Sequence, residues 1–346
     1  MVGALKHSFN VYAICKFGSK ILESDCEQVY YLNNYSEKKI RIILDQIDPF
    51  ETKKILIGSG FAENIKTNYL GKRENIGNSF KTLKNLNSPD IFFDKLRRSK
   101  ITFPKWKFDV PKNKRNWLIK GAKSIGGLLV QKLTKEKINK FSCNHYFQKF
   151  VEGDVVSVQF FSYKNNINLL STNSQWVYKK ADPTLILGGV ITKPLTEDLS
   201  KKVKNITKKI SLNFELNGLN SVDFIISKKN KKIYVIEVNG RPGLTINSLK
   251  EIYGEKLFIR KNNFFFSKKF YSSSIVYSKK CFFFDKKIRI KLKKIQDKLK
   301  ISEIGLYDEI VKEKKPICII HSYSKSKKKT KHIIEKYSKK IIDFTK

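Results

Sequence analysis

What most limits how this chain can fold is a pair of short apolar strands carrying acid where a core strand should carry none. Ser221–Ile226 holds Val222, Phe224, Ile225 and Ile226, and Lys232–Asn239 holds Ile233, Val235, Ile236 and Val238, with Ser-Lys-Lys-Asn-Lys between them. Two apolar runs joined by a short polar turn predict a β-hairpin. Glu237 and Asn239 are two residues apart, so both side chains leave the same face. A turn centred on Asn230 sets Asp223 across from Glu237, with Cβ atoms about 5 Å apart, and like charges so placed destabilise a sheet. A cation resolves the conflict. Three oxygen ligands on one face, with space for phosphates, describe a site for Mg2+ (or Mn2+) and a nucleotide. The competing reading, a solvated face with incidental acids, fits poorly with strands that are otherwise apolar.

The loop beyond the hairpin, Gly240-Arg241-Pro242-Gly243-Leu244-Thr245, extends the pattern. Arg241 leaves the strand end beside the predicted metal ligands, where a guanidinium can hold a carboxylate or developing phosphate charge. The glycines let main-chain amides approach the same anion. Lys120, at the end of the apolar run Trp117-Leu118-Ile119, is either a snorkelling lysine or a phosphate ligand. The four histidines (His7, His145, His321, His332) have no ligand spacing, and no serine or cysteine nucleophile motif is visible.

The run from Asn217-Gly218-Leu219-Asn220-Ser221-Val222-Asp223-Phe224 to Ile236-Glu237-Val238-Asn239-Gly240-Arg241-Pro242-Gly243 resembles the metal-binding end of the ATP-grasp superfamily. That superfamily includes D-alanine–D-alanine ligase and biotin carboxylase. Upstream, Lys120 followed by Gly126 and Gly127 resembles the strand whose lysine contacts the nucleotide phosphates and the glycine-rich lid loop after it. Tyr146-Phe147-Gln148-Lys149-Phe150-Val151-Glu152-Gly153 resembles the hinge whose backbone pairs with the adenine edge. Asp94-Lys95-Leu96 resembles an earlier lysine-bearing element. Gly58-Ser59-Gly60-Phe61, Gly77-Asn78, Gln175-Trp176, Gly188-Gly189 and Pro316-Ile317-Cys318 are similar to a subfamily from methylotrophs and methanogens, linked to one-carbon cofactor synthesis, that includes a tyramine–glutamate ligase. Two departures stand out. The position where many relatives bind ribose with Glu is Val155, which leaves Asp154 or Glu152 to substitute or the ribose to be held loosely, and the lid Gly121-Ala122-Lys123-Ser124-Ile125-Gly126-Gly127 is less glycine-rich than usual.

The resemblance implies an α/β ATP-grasp fold with an antiparallel α+β lid. It implies ATP and Mg2+ as cofactors, with Lys95, Lys120, Gly126, Gly127, Gln148, Lys149, Phe150 and Val151 around the nucleotide. Asp223, Glu237 and Asn239 would hold metal, and Arg241 would act in catalysis. The activity it implies is activation of a small-molecule carboxylate as an acyl phosphate, then attack by an amine, with ADP and phosphate released. An ATP-grasp carboxylase or small-molecule kinase is the alternative.

Composition raises a different class. The formal charge is +40, yet of 71 basic residues eight are arginine and 63 lysine. Arginine is the residue that reads guanine and phosphate bidentately, so the balance argues against a specific nucleic-acid reader. Leu199, Val203, Ile206 and Ile210 form one helix face, with lysines covering the rest, as on a solvated helix. No apolar run approaches the roughly 20 residues that span a bilayer. Five scattered cysteines without a CxxC pair fit reduced thiols in a cytoplasm.

Along the chain, strands at Phe9–Cys15, Val29–Leu32 and Lys54–Ile57 with a helix at Glu37–Ile47 predict an N-terminal Rossmann-like α/β domain over residues 1–89. It opens abruptly, as if its first strand were missing, with residues 1–8 reading as the tail of a helix. Short strands at Thr102–Trp106, Asn116–Lys120, Gly127–Leu133 and Tyr146–Val151 predict an antiparallel lid over 90–152. Strands at Val155–Tyr163, Ile167–Thr172, Gln175–Tyr178 and Leu185–Thr192, a helix over 196–212 and the hairpin make a lobe over 153–260. Residues 261–346 form a basic, aromatic extension with a strand at Pro316–His321 and a Lys-rich end that is either a surface helix or a loosely held tail.

Overall fold

The fold is that of a computed structural model, which describes all residues except 1–4, 6–8, 17–19, 33, 135–143, 179–183, 255–256, 258–268, 297, 305–307 and 346. Cys143, most of the predicted opening helix and much of the aromatic stretch after Phe258 lie outside the described residues. Strands β1 (Tyr12–Cys15) and β2 (Gln28–Tyr31) pair in parallel across helix α1 (Lys20–Asp25). Helix α2 (Glu37–Ile47) follows, then α3 (Phe80–Asn87) and α4 (Pro89–Arg98). Next come β3 (Trp106–Lys107), β4 (Trp117–Gly121), β5 (Val130–Lys132), β6 (His145–Lys149), β7 (Gly153–Tyr163), β8 (Asn166–Val177) and β9 (Leu187–Thr192). Helix α5 (Glu197–Asn213) precedes β10 (Gly218–Ser227), β11 (Ile233–Asn239) and α6 (Ile246–Tyr253). The chain ends with β12 (Phe270–Tyr277), β13 (Phe282–Phe284), α7 (Lys286–Gln296), β14 (Ile301–Ser302), β15 (Glu309–Val311), β16 (Pro316–Ser324) and α8 (Lys327–Asp343).

Two compact units emerge, one of residues 35–187 and 193–243, the other of 1–34, 188–192 and 244–346. The first holds the antiparallel sheet β3-β6-β4-β5, with Ile119, Leu133 and Phe147 as its small core. It also holds the antiparallel strands β11-β10-β7-β8. Alternation along β7 decides what each face does. Val156, Val158 and Phe160 join Val222, Phe224 and Val235, and bury against Phe92, Phe93 and Leu96 of α4 and Val203 and Ile210 of α5. The opposite face pairs Ser157 with Asp223 and with Asn173, and Gln159 with Ser171. A sheet with one apolar face for helices and one polar face is what period-2 patterning dictates. The polar face carries the chemistry below.

In the second unit β9, β12, β16 and β14 pair antiparallel in that order. Helices α7 and α8 supply Ile288, Leu292, Ile295, Ile334 and Ile341 to a core shared with Val276, Ile317 and Ile320. The Lys-rich end is therefore a packed helix, begun by the Ser326 hydroxyl, which accepts the Lys329 amide.

Several expected elements differ. Lys54–Ile57 is no strand, only an isolated bridge from Ile55 to Asn75. Residues 101–105 are irregular and the strand there is only Trp106–Lys107. The two strands expected at 167–178 are one, β8. Helix α3 closes the N-terminal stretch, and helix α4 occupies the start of the one expected to hold short strands. Ser79 caps the first, its hydroxyl accepting the Thr82 amide at 3.1 Å. Pro89 opens the second at a position where a missing amide costs nothing. Helix α7 follows β12 and β13 within the basic extension. No described helix is long and apolar enough to cross a membrane.

Candidate active site

The hairpin pairs Ser221 with Asn239, Val222 with Val238 and Asp223 with Glu237, and then shifts register so that Phe224 faces Val235. Ile236 is thus the extra residue of a β-bulge. The turn centres between Lys229 and Asn230 rather than on Asn230, since Ile226 faces Ile233. An unbulged strand in that register would set Glu237 opposite Val222, on the other face of the sheet. The bulge brings the second carboxylate onto the face of the first.

Both carboxylates feel that placement. Burial, and then the charge of Asp223, push Glu237 up to about 7 against the pull of Lys120 and Arg241. Burial also pushes Asp223 up, opposed by hydrogen bonds from Ser157 and Gln175 and by the charges of Arg241 and Lys120. Gln175 Nε2 donates to Asp223 Oδ1 at 2.9 Å. Neither carboxylate has an ion-pair partner among the described residues.

Lys120, the penultimate residue of β4, is buried in the same environment. Its Nζ donates to Gln148 Oε1 at 3.2 Å and sits 5.6 Å from the Tyr146 ring centre. Burial works against its charge but is outweighed by Tyr146, Glu237 and Asp223, which hold its pKa above the ordinary lysine value. Gln148 is buried on β6, and its Nε2 has no hydrogen-bond partner. Lys120, Glu237, Asn239 and Arg241 line one cleft, with Tyr146, Ser124 and an apolar wall that includes Leu83, Leu86 and Phe92.

Other expected residues fall differently. Lys95 is not brought to this group. Its Nζ donates to the Asn213 carbonyl at 2.8 Å and lies 5.4 Å from the Phe214 ring centre, so α4 spends this lysine on packing against the end of α5. The Lys149 side chain turns to the Arg115 carbonyl and the Trp117 ring. The amides of Lys149 and Phe150 already donate to Lys105 and Asn116. Among the expected hinge amides, that of Val151 has no partner among the described residues. Gly126 and Gly127 have φ of +56° and +76°, and a Cβ on Gly127 would lie 2.1 Å from the Leu185 carbonyl oxygen. Only glycine fits there. Asp154 and Glu152, the candidate ribose acids, pair with Lys193 and Lys228.

Glu63 escaped the sequence, and Asn78 was quoted only as part of a motif, with no role at the site. Glu63 Oε1 accepts from Arg241 Nε at 2.6 Å, and Arg241 Nη2 donates to Asn239 Oδ1 at 3.1 Å. Asn78 Nδ2 donates at 2.7 Å to both Asn220 Oδ1 and the Gly240 carbonyl, and its Oδ1 accepts the Asn217 amide at 2.8 Å. That amide clamps the start of the Arg241 loop to β10. The Gly58-Ser59-Gly60 and Gly77-Asn78 motifs were the available signals for both.

Residues 80–245 match the family model described as the ATP-grasp domain. Over those residues the fold is of the ATP-grasp kind. The fold agrees with solved structures along nearly all its length. An L-amino acid ligase from Bacillus licheniformis superposes with a TM-score of 0.70 at 14% identity, covering 96% of this chain and 96% of that one. N5-carboxyaminoimidazole synthetase from Staphylococcus aureus, complexed with ADP, gives 0.70 at 13% identity over 97% and 94% of the two chains. The biotin carboxylase domain of Hydrogenobacter thermophilus 2-oxoglutarate carboxylase, complexed with MgADP, gives 0.66 at 12% identity over 93% and 83%. At such identities the likeness is one of fold. No curated protein sequence matches.

The donor set fits a hard divalent cation. Two carboxylates and an amide oxygen share one end of the hairpin, and the carboxylates are held in a state that a cation would relieve. Among the described residues no three His, Cys, Asp or Glu side chains gather into a metal cage.

Proposed function

We propose that the protein is an ATP-dependent ligase that activates a small-molecule carboxylate as an acyl phosphate and joins it to an amine, releasing ADP and phosphate. The observation that carries this reading is the Asp223–Glu237 pair, set side by side on the hairpin, with Glu237 lining one cleft together with Lys120 and Arg241. Asp223, Glu237 and Asn239 would hold Mg2+, which when bound screens the phosphate charge and draws it from the transferring group. Lys120 meets a phosphate oxygen from the floor of the cleft, and the unpartnered Gln148 amide and the Val151 amide face the nucleotide. The lid glycines 126 and 127 close over the phosphates. The substrate carboxylate oxygen attacks the γ-phosphorus and the bond to ADP breaks. Arg241 holds the acyl group while the amine attacks its carbon and phosphate leaves. These residues act mostly by positioning and charge neutralisation.

The four-part division at 1–89, 90–152, 153–260 and 261–346 belongs to this proposal, as does a place among enzymes that build one-carbon cofactors. Bicarbonate as the acid would make the protein a carboxylase in the same cleft. The test is ATP turnover screened against pooled carboxylates and amines, with hydroxylamine as a trap. The expected outcome is ADP together with a hydroxamate from one carboxylate pool. AMP and pyrophosphate as the main products would refute acyl-phosphate chemistry, and a bicarbonate requirement would select the carboxylase.

A further inference from the structure

Glu63 lies outside the matched domain and 178 residues before Arg241, yet the two are joined at 2.6 Å in a buried pair. The carboxylate is held at both ends. Its second oxygen accepts the Gly60 amide at 2.7 Å, and Gly60 in turn takes the Asn64 side-chain amide on its carbonyl at 2.7 Å. The Ala62 carbonyl accepts from Asn87 of α3 at 3.0 Å, which ties the loop to the helix behind it. This is a rigid acid aimed at one guanidinium.

Without Glu63, a buried guanidinium would seek another anion, because an unpaired buried charge is costly. The nearest candidates are the carboxylates of the hairpin. Arg241 already acts electrostatically on both Asp223 and Glu237, and Glu63 acts on Glu237 in the opposite sense. A guanidinium that collapsed onto Glu237 would compete directly with a divalent cation. In the arrangement present, Nε goes to Glu63, one Nη2 hydrogen to Asn239 and one Nη1 hydrogen to the Pro242 carbonyl. Each terminal nitrogen keeps one N–H for an anionic ligand.

We propose that Glu63 is a positioning residue, which holds Arg241 off Asp223 and Glu237 so that the carboxylates stay open to a divalent cation and the guanidinium to an anionic substrate group. The inference rests on the ligase reading above. Its mark is epistasis between Glu63 and Arg241 in cation affinity, which a merely structural role would not produce.

The experiment is a Mg2+ titration of the full chain at a fixed concentration of a non-hydrolysable ATP analogue, read by the melting temperature. Glu63→Gln should raise the Mg2+ midpoint about tenfold. Arg241→Gln should leave it at or below the wild-type value, because the competitor is gone. The double variant should match Arg241→Gln alone, and its metal-free melting point should stay near wild type, since removing both partners of a buried pair costs little. An unchanged midpoint in Glu63→Gln, or a double variant whose shift adds that of Glu63→Gln to that of Arg241→Gln, would overturn this inference alone. A wild type with no Mg2+-dependent shift would overturn the ligase reading and this inference with it.

Discussion

Two antiparallel strand pairs in this molecule bury polar side chains, and they do so in opposite ways. On β12 and β16, His321 faces Ser273, whose hydroxyl lies 2.8 Å from Nδ1, while Nε2 meets Ser302 at 2.7 Å and Asn247 at 3.2 Å. Burial, reinforced by the Lys300 charge, pushes the imidazole down to about 3, so it stays neutral and every ring nitrogen is satisfied. On β10 and β11, Asp223 faces Glu237, like charge against like, with a bulge that creates the conflict rather than avoiding it. Both pairs are polar and both are buried. Only the second sets like charge against like, and there Gln175 reaches Asp223 while Glu237 has no hydrogen-bond partner among the described residues. A buried polar group that finds its partners specifies the fold, whereas one denied them marks where a ligand belongs.

The largest expected effect breaks the comparison at the hairpin. Glu237→Gln should cut turnover by roughly three orders of magnitude, because it removes charge from the cation site. The metal-free protein should be as stable as wild type or slightly more so, because the like-charge pair is gone. Turnover near wild type, or a loss explained by unfolding, would make Glu237 an ordinary core acid. Next in size, His321→Ala should cost about 2 kcal/mol of stability by stranding the Ser273 and Ser302 hydroxyls. Turnover per folded molecule should be unchanged, as measured by denaturant melts beside rates. A selective loss of turnover without loss of stability would give His321 a role that its satisfied hydrogen bonds do not suggest.

The smallest effect is a pair of opposed pH trends in metal-free protein. His321 titrates lower folded than unfolded, so below about 6.5 the unfolded state binds the extra proton and stability falls as pH falls. Glu237 titrates higher folded than unfolded, so its burden is greatest above about 7 and is relieved as pH falls toward the ordinary carboxylate range. Urea midpoints across pH 4.5–8 in wild type, Glu237→Gln and His321→Ala separate the two. Removing Glu237 should steepen the loss of stability on acidification, and removing His321 should flatten it. The same slope in all three proteins would deny both assignments.

How much of this was legible in the sequence follows the range of the interactions. Helix α2 was readable to the residue, since a Ser cap and an apolar face are local signals. The acids were readable because charge inside apolar strands is rare wherever the strands end up. The bulge at Ile236 was not, since register depends on which neighbours the strand meets, and the Asp223–Glu237 pair was anticipated from a turn one half-step away from the real one. Helix α4 could have been found from Pro89 after Ser88, with Phe92, Phe93 and Leu96 on one face. Its lysine was misread because position on a helix says nothing about what the side chain meets, here the end of α5. The contacts of Glu63 and Asn78 were invisible for a deeper reason, although Asn78 itself stood in a motif. Each is an ordinary polar residue until a segment 178 or 162 positions away folds against it.

If the hairpin acids hold the cation of a bound nucleotide, linkage between nucleotide and folding reports it whatever the substrate. Thermal melts of wild type and Glu237→Gln, each with and without saturating Mg-ATP, are the direct measurement. Wild type should gain stability as the nucleotide fills its site, by about 2.7 kcal/mol at a hundred times the dissociation constant, and Glu237→Gln should gain much less under the same conditions. Equal stabilisation of the two proteins would contradict the account and remove the hairpin from the active site.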